Sequence, residues 1–333
     1  MIISATETQM LNFFEKEIAK NKLLSKGEGI VVAVSGGADS MVLLDLLFQL
    51  SKSFKLKLTV AHVNHNLRGK KSDADENLVR WAAKKLGVSF RAVRWKPPAR
   101  GNIQDLARRF RYDFLKSVAC EAGACAIATA HNQDDQAETL LLHLIRGSGI
   151  KGMSGMEPAT REEVRIVRPL LAFSRYQIEG YAKKRKIRFA RDESNNKLKY
   201  TRNFIRHKVL PVLESINPCV RESLAGAAKV LKDCSTALDE VAQAFAKEFL
   251  RTGKEKIAWD RGPFLKLPGA IRRHVLIHAY ERLKGDRINL NSDQIEHMET
   301  ISEGHEPKAR YMLPGRIEFH RTGNLIIILR INS

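Results

Sequence analysis

One stretch decides the fold, Ser35-Gly36-Gly37-Ala38-Asp39-Ser40. An apolar run at residues 30–34 precedes it and predicts a buried strand, and a second apolar run at residues 41–50 predicts a helix after it. The first N–H groups of a helix have no partner within the helix, and the helix dipole favours negative charge there. Because two glycines let a phosphate approach the backbone closely, the stretch predicts an anion-binding turn.

The side chains of this turn suit a nucleotide with a metal ion. Asp39 would repel a phosphate unless a cation lay between them, so we interpret Asp39 as a Mg²⁺ contact. An ordinary strand-to-helix turn with a Ser or Asp cap is the alternative. The hexapeptide resembles the loop of the N-type ATP pyrophosphatases, which split ATP between its α and β phosphates and adenylate a substrate. The resemblance implies that six residues bind ATP: Ser35, Gly36, Gly37, Ala38, Asp39 and Ser40.

The charge of the chain indicates its class of partner. The chain has 333 residues, enough for two domains, and its 57 basic against 37 acidic residues give a formal charge of +20. Residues 183–208 alone contain 11 Lys or Arg and 2 acids. This excess favours RNA as a partner, and a basic surface without a specific partner is the alternative.

The cysteines and the apolar runs indicate the compartment. The four cysteines form no CxxC pair, so the sequence has no zinc or iron–sulfur spacing. Cys120 and Cys125 lie in an apolar stretch and are predicted to be buried thiols. Neither a signal peptide nor an apolar run of membrane-spanning length is recognisable, so a cytoplasmic protein without a membrane partner is expected.

The first two thirds of the chain alternate between strand and helix patterns. The predicted strands are residues 30–34, 56–63, 88–95 and 124–130, and the predicted helices are residues 7–24, 72–86, 103–121, 133–146, 174–186 and 200–215. This order predicts an α/β fold, a Rossmann-like doubly wound parallel sheet with helices on both faces. Ligands bind beyond the carboxyl ends of such strands, so loops 35–40, 62–69 and 131–138 are expected to converge.

The best domain break is Asn217-Pro218. Residues 1–217 are predicted to form the nucleotide-binding domain, and residues 218–333 a smaller helix-rich α+β domain that ends in a small antiparallel sheet. Residues 147–152 match G-x-G-x-x-G, but a helical pattern precedes them where a dinucleotide motif needs a strand. We interpret Gly147 as a helix C-cap and the remainder as a loop.

Polar residues near the ends of predicted strands are the candidates for chemistry. Asp134, Asp135 and Glu138 form an acidic group, and Asp135 and Glu138 share a helix face. N-capping explains one of the three acids. Binding of Mg²⁺ or of a small cationic substrate would explain the whole group. Arg111 suits the charge that develops at a transferring phosphate, and an exposed basic helix face is its alternative. His62 and His65 are three residues apart and could suggest a metal site, but no third ligand is near them in sequence. His62 is therefore expected near the nucleotide.

Motifs in order from about residue 30 to 218 resemble the tRNA(Ile)-lysidine synthetase family. Beyond the hexapeptide they are His62 to Arg68, Arg111-Tyr112, Thr129-Ala130-His131, Asp134 to Thr139, Arg146-Gly147, Arg168-Pro169-Leu170-Leu171, Asp192-Glu193-Ser194-Asn195, Arg202-Asn203, Arg206-His207 and Leu210-Pro211. The C-terminal third resembles the family's smaller tRNA-binding domain through weaker motifs. Asn132 departs from the family, which often has a second histidine there, and the short chain suggests a single C-terminal domain.

The resemblance implies a ligase that uses ATP and Mg²⁺ to join free L-lysine to the wobble cytidine of the CAU anticodon of tRNA(Ile), through an adenylated cytidine. The implied catalytic residues are Asp39, Arg111, Asp135 and Glu138, and His62 is implied to bind ATP. Lysine would contact Asp135, Glu138, Asn203 and Arg206. The tRNA would contact Arg68, Lys183, Lys184, Arg185 and Arg202. The oligomeric state stays open, with a homodimer among the options.

Two other functions compete with the ligase. A tRNA thiolase of the same loop family would be expected to carry paired cysteines, and this chain has no CxxC. A tRNA-binding protein with an inactive nucleotide site is the second, and the intact hexapeptide and acidic group argue against it.

Overall fold

A computed structural model describes residues 7–66, 69–96, 98, 102–160, 162–190, 201–285, 290–306 and 308–331. Contacts divide the chain into two compact units, residues 1–142 with 155–228 and residues 143–154 with 229–333. The predicted break at Asn217-Pro218 therefore falls inside the first unit, 11 residues before its end.

A parallel sheet forms the centre of the first unit. Its strands are β1 (Gly29–Ala33), β2 (Lys57–Asn64), β3 (Ser89–Arg94), β4 (Ala126–Ala128) and β5 (Arg165–Val167). All four pairings are parallel, and the order is β3-β2-β1-β4-β5. The order reverses direction between β1 and β4, which is the point where ligands bind in open α/β sheets.

Helices follow the strands. They are α1 (Glu7–Lys20), α2 (Ala38–Phe54), α3 (Lys70–Leu86), α4 (Ile103–Glu121), α5 (Gln133–Ile145), α6 (Ile150–Met153), α7 (Arg175–Lys184), α8 (Thr201–Phe204), a π-helical segment Ile205–Val209, α9 (Leu210–Ile216) and α10 (Val220–Phe249). Alternate residues of β1 enter different cores, because successive side chains of a strand point to opposite faces. Ile30 and Val32 pack with α1, α2, α3 and α7, whereas Val31 packs with α4. The predicted doubly wound sheet is confirmed.

The second unit has an antiparallel sheet. Its elements after α10 are β6 (Arg251–Thr252), β7 (Lys256–Asp260), α11 (Arg261–Leu265), α12 (Gly269–Lys284), α13 (Ser292–Glu303), β8 (Lys308–Leu313), β9 (Ile317–Thr322) and β10 (Leu325–Arg330). The strand order is β6-β7-β10-β9-β8. Trp259, Phe264 and Tyr280 are fully buried in its core, which fits the predicted α+β architecture.

Several local predictions were wrong. Helix α3 begins at Lys70 rather than at residue 72, because Gly69 takes the N-cap position. Residues 150–153 form the short helix α6 rather than only a loop, although Gly147 has the positive φ of 68° expected of a C-cap. Cys120 and Cys125 are exposed rather than buried, since they lie at the turn around Gly123 that joins α4 to β4. Among the described residues, no helix combines the length and apolarity needed to cross a bilayer.

Candidate active site

A cleft of about 1880 Å³ lies in the first unit, where β1, β2 and β4 end. Its walls include the Ser35–Ser40 turn, His62 near the end of β2, His65 just after β2, Arg111 of α4, and Asp135 of α5. Typical small-molecule sites occupy about 300–1,000 Å³, so this cleft has room for a nucleotide and a second substrate. It brings together the three loops that the sequence predicted would converge.

Hydrogen bonds from its own serine hydroxyl groups fix the conformation of the Ser35–Ser40 turn. The Oγ atoms of Ser35 and Ser40 are 3.1 Å apart, and Ser40 Oγ also accepts the N–H of Ser35 and donates to the Gly37 carbonyl. Gly36 has φ +95°, a left-handed conformation that disfavours any other residue. Helix α2 begins at Ala38, so its first N–H groups face the turn that the sequence predicted as a phosphate site.

Asp39 has one satisfied carboxylate oxygen and one unsatisfied oxygen. Its Oδ2 lies 3.5 Å from Arg175 Nη2, whereas Oδ1 is buried and has no hydrogen-bond partner among the described residues. Burial raises the pKa of Asp39, and the nearby Arg175 opposes that rise. An unpaired carboxylate oxygen in a cleft is the kind of donor that Mg²⁺ prefers. No group of three or more metal-ligating side chains occurs in the described residues.

His62 is a neutral acceptor at the end of β2. Its Nδ1–H donates to the Val34 carbonyl at 2.8 Å, which leaves Nε2 as an acceptor. That Nε2 is buried and no described residue bonds to it, and burial lowers the pKa of His62. The nearby His65 has its pKa lowered to about 4, first by burial and then by the charge of Arg111. Arg68, predicted to bind tRNA, lies outside the described residues.

Arginines gather around His131 at the end of β4. Arg108 and Arg111 both lie over the ring of Tyr112, and burial lowers the pKa of Arg111. None of the ion pairs in the described part of the chain includes Arg111. The pKa of His131 falls to about 3 because the side chain is buried and because Arg168 and other arginines repel a proton. Arg111 therefore lines the cleft without an acid partner among the described residues.

The acidic group at the start of α5 combines a cap with an ion cluster. Asn132 and Asp135 cap each other: Asn132 Oδ1 accepts the Asp135 N–H at 3.0 Å, and Asp135 Oδ2 accepts the Asn132 N–H at 3.1 Å. Glu138 is fully buried, with Arg202 Nε at 2.8 Å and Arg206 Nε at 2.5 Å from its oxygens. Both arginines also reach Asp135 Oδ1, at 3.3 and 3.1 Å. N-capping thus explains Asp135 but not Glu138.

The third acid of the group, Asp134, has a different setting. Its Oδ1 accepts the Arg175 N–H at 3.0 Å, and its Oδ2 lies 3.0 Å from Arg221 Nη1. Asp134 therefore joins the starts of α5, α7 and α10, and its oxygens are already occupied by protein groups.

The residues predicted to bind tRNA do not share one surface. Lys183 and Lys184 line the same cleft as the Ser35–Ser40 turn. Arg185 is paired with Asp45 and Glu7 instead. Arg202 lies on Glu138, beside the predicted lysine-binding residues, and Asn203 follows it in α8. These assignments stay predictions, but the structure places the four described residues in three different environments.

Sequence reasoning gave no role to some residues of the cleft, among them Arg175 and His131. Arg175 was not singled out, because nothing in the sequence shows that the first residue of α7 lies beside Asp39. His131 was noted only within a motif, although its position directly after a buried strand of the sheet is the signal that places it in the cleft.

Comparisons with known proteins place the chain among tRNA-modifying enzymes. A family model described as a PP-loop domain matches residues 4–213. The tRNA(Ile)-lysidine synthase of Geobacter sulfurreducens is 36% identical over 94% of this chain and 67% of its own length. That of Dehalococcoides mccartyi is 32% identical over 91% of this chain and 67% of its own length. The chain thus spans about two thirds of the length of these curated relatives.

A solved structure supports the fold alone. The U34-tRNA thiolase NcsA of Methanococcus maripaludis, with its 4Fe-4S cluster, superposes with a TM-score of 0.58 over 68% of this chain and 80% of that chain. Its sequence identity is 16%, so the likeness extends to the architecture of the sheet and not to the reaction.

Proposed function

Because the chain belongs to the tRNA(Ile)-lysidine synthase family of PP-loop proteins, we propose that it joins free L-lysine to the wobble cytidine of the CAU anticodon of tRNA(Ile). ATP is split to AMP and pyrophosphate, and an adenylated cytidine is the intermediate. The observation that carries the proposal is a cleft in which three features meet: a phosphate turn, a carboxylate-rich helix start, and Arg111, which has no acid partner among the described residues.

In the first step the cytidine oxygen attacks the α-phosphate of ATP, and pyrophosphate leaves. The turn at Ser35–Ser40 and the start of α2 would bind the departing phosphates through backbone N–H groups. Arg111 would stabilise the negative charge that grows on the α-phosphate, since it projects into the cleft wall without an acid partner among the described residues. Mg²⁺ held at Asp39 would supply neutralisation of phosphate charge.

In the second step the ε-amine of lysine attacks the activated ring carbon, and AMP leaves. The amine titrates near ~10.4 in water, so its neutral form costs roughly 4–5 kcal/mol at pH 7. Asp135 and Glu138 are proposed to hold the ammonium group and accept its proton, and Asn203 and Arg206 to orient the lysine. Since Arg202 and Arg206 occupy those carboxylates, lysine would have to displace one guanidinium contact.

The proposal also covers the roles of the two parts of the chain, the location of the protein and its oligomeric state. The first unit would adenylate the cytidine, and the C-terminal part would bind tRNA phosphates. A cytoplasmic location and a homodimer are also proposed, and the mass of the protein in solution tests the latter.

The test uses ATP, Mg²⁺, radiolabelled lysine and the CAU-anticodon isoleucine transcript. Label on the RNA is expected with the wild-type protein. Asp39→Ala and Glu138→Ala should abolish labelling, whereas Asp113→Ala, an exposed acid on α4, should retain it. If the wild-type protein transfers no lysine but consumes ATP with a sulfur donor, the thiolase function replaces the ligase. Binding of tRNA without any ATP cleavage would indicate an inactive nucleotide site.

A further inference from the structure

The segment Lys183–Ala190 lies along the phosphate turn. Its last residue, Ala190, donates its N–H to the Gly36 carbonyl at 2.9 Å. This bond ties the segment directly to the backbone of the turn. Lys183, Lys184, Lys186 and Ala190 all line the cleft that contains Ser35, Asp39 and Ser40.

The cations of this segment divide into two groups. Arg185 does not line the cleft and is neutralised by Asp45 and Glu7, at 3.4 and 3.3 Å. Lys183 and Lys186 do line the cleft, both are exposed, and neither takes part in an ion pair within the described residues. Two lysines that have no acid partner among the described residues therefore line the same cleft as the phosphate turn, whereas Arg185 between them pairs with Asp45 and Glu7.

The turn itself cannot balance the charge of a triphosphate. It contributes N–H and hydroxyl donors, but its one charged side chain, Asp39, is acidic. Arg175 is already within reach of that carboxylate. Pyrophosphate leaves with several negative charges, and lysine ammonium groups bind phosphate as compact point charges.

We infer that Lys183 and Lys186 form a subsite for the pyrophosphate part of ATP, and not a docking surface for tRNA. The inference rests on the proposed use of ATP but not on the identity of the nucleic acid or the amine. It replaces the RNA role that the sequence suggested for Lys183, because Lys183 lines the cleft that contains the phosphate turn. Lys186 was not singled out from the sequence.

The experiment measures binding rather than turnover. Inorganic pyrophosphate, AMP and tRNA, each in the presence of Mg²⁺, are titrated separately into the full-length wild-type protein and into Lys183→Gln/Lys186→Gln. The double variant is expected to bind pyrophosphate at least tenfold more weakly, with changes below twofold for AMP and tRNA. Lys183→Arg/Lys186→Arg should keep pyrophosphate binding within threefold of wild type, since it retains both charges.

The matched control is Lys16→Gln, an exposed lysine on α1 that does not line the cleft. It should leave all three affinities unchanged. The inference is overturned if pyrophosphate affinity is unaltered in the double variant, or if tRNA affinity falls at least tenfold while pyrophosphate affinity holds. The titrations contain no free L-lysine and measure no turnover. A failure of the proposed ligase reaction would therefore appear in the labelling experiment and not in these binding measurements.

Discussion

Glu138 is the most constrained charge of the site. Its side chain is fully buried and contacts Arg202 and Arg206, whose side chains are 37% and 20% exposed. Glu138→Gln removes the buried negative charge and leaves Asp135 as the acid partner of both guanidinium groups, so the free energy of unfolding should fall by about 3 kcal/mol. Chemical denaturation monitored by circular dichroism measures this difference.

Glu179→Gln is the matched control for Glu138→Gln. Glu179 also pairs with an arginine, Arg175 at 3.5 Å, but its side chain is 58% exposed. Its removal should change the free energy of unfolding by less than ~0.5 kcal/mol, because solvent screens the pair. Equal losses in the two variants would show that burial does not decide the cost. If Glu138→Gln also loses activity, its stability must be compared before a proton-transfer role is assigned.

His131 gives the first unit a pH dependence. Its pKa is about 3 in the folded protein, against 6.5 as the reference value, so the unfolded chain binds more protons between those limits. The stability associated with the neutral ring is complete above pH 6.5 and is lost as the pH falls toward 3. Between pH 7 and pH 5 the wild type should lose about 2 kcal/mol more than His131→Asn.

Unfolding curves of both proteins at several pH values provide the measurement. Asn is chosen because its amide can keep the hydrogen bond that links His131 Nδ1 to Thr129 Oγ1 at 3.0 Å. The pKa of His65 is also lowered, to about 4. Its effect on the free energy of unfolding at low pH is the same in both proteins and cancels when the two are compared. Parallel pH profiles would contradict a buried neutral His131.

Helix α7 matters at the scale of elements because both ends of it face the cleft. Ser174 and Gln177 form a reciprocal cap at its start: Ser174 Oγ accepts the Gln177 N–H, and Gln177 Oε1 accepts the Ser174 N–H at 2.9 Å. Ser174→Ala should lower the free energy of unfolding by about 1 kcal/mol, and Ser174→Gly by only a few tenths.

The larger loss of unfolding free energy for Ser174→Ala than for Ser174→Gly is the most specific part of the prediction. Glycine normally destabilises a chain more than alanine, but at an N-cap position the preference is reversed. Ser117→Ala, on the exposed middle of α4, should show no loss beyond ~0.5 kcal/mol and serves as the control. A larger loss for glycine than for alanine at position 174 would exclude the cap.

Prediction from sequence succeeded where residues that end a helix, such as glycine, marked the limits of an element. Helix α4 was placed at residues 103–121 because its apolar spacing is regular and Gly123 follows it, and the structure agrees. Strand β5, residues 165–167, was missed because its two apolar residues lie between charged residues, whereas β4 lies in a continuous apolar run. The π-helical segment within residues 200–215 was read as ordinary helix, since an extra backbone residue per turn leaves no mark in a polarity pattern.

The same limit applies to the candidate site. The phosphate turn and the Asp135–Glu138 group could be found because each is continuous in sequence. The contact of Arg175 with Asp39 joins residues 136 positions apart, and that of Arg206 with Glu138 joins residues 68 apart. Such pairs depend on how strands are ordered, so only the sheet order β3-β2-β1-β4-β5 could reveal them.

At the scale of the whole molecule, charge is the remaining observation. The net charge of +20 exceeds what the cleft uses, yet Arg185, Arg202 and Arg206 of the basic stretch 183–208 are paired with acids. Since three of the 11 cations of this stretch are already paired, we expect other parts of the chain to contribute to the contacts with tRNA phosphates. Long-range attraction from a distributed excess raises association rates and depends strongly on ionic strength.

We expect the affinity for tRNA to fall steeply with salt. If about 6–10 phosphates are neutralised, affinity should drop by roughly 10³–10⁵ between 50 and 200 mM salt, with a slope of about −0.7 to −0.9 per contact in a double-logarithmic plot. Filter binding across a salt series measures the slope. Because Lys183 and Lys186 are assigned to pyrophosphate, Lys183→Gln/Lys186→Gln should keep the wild-type slope, whereas a slope shallower by about 2 would place both lysines on RNA. A slope near zero in the wild type would mean that the positive charge of the chain does not serve RNA binding.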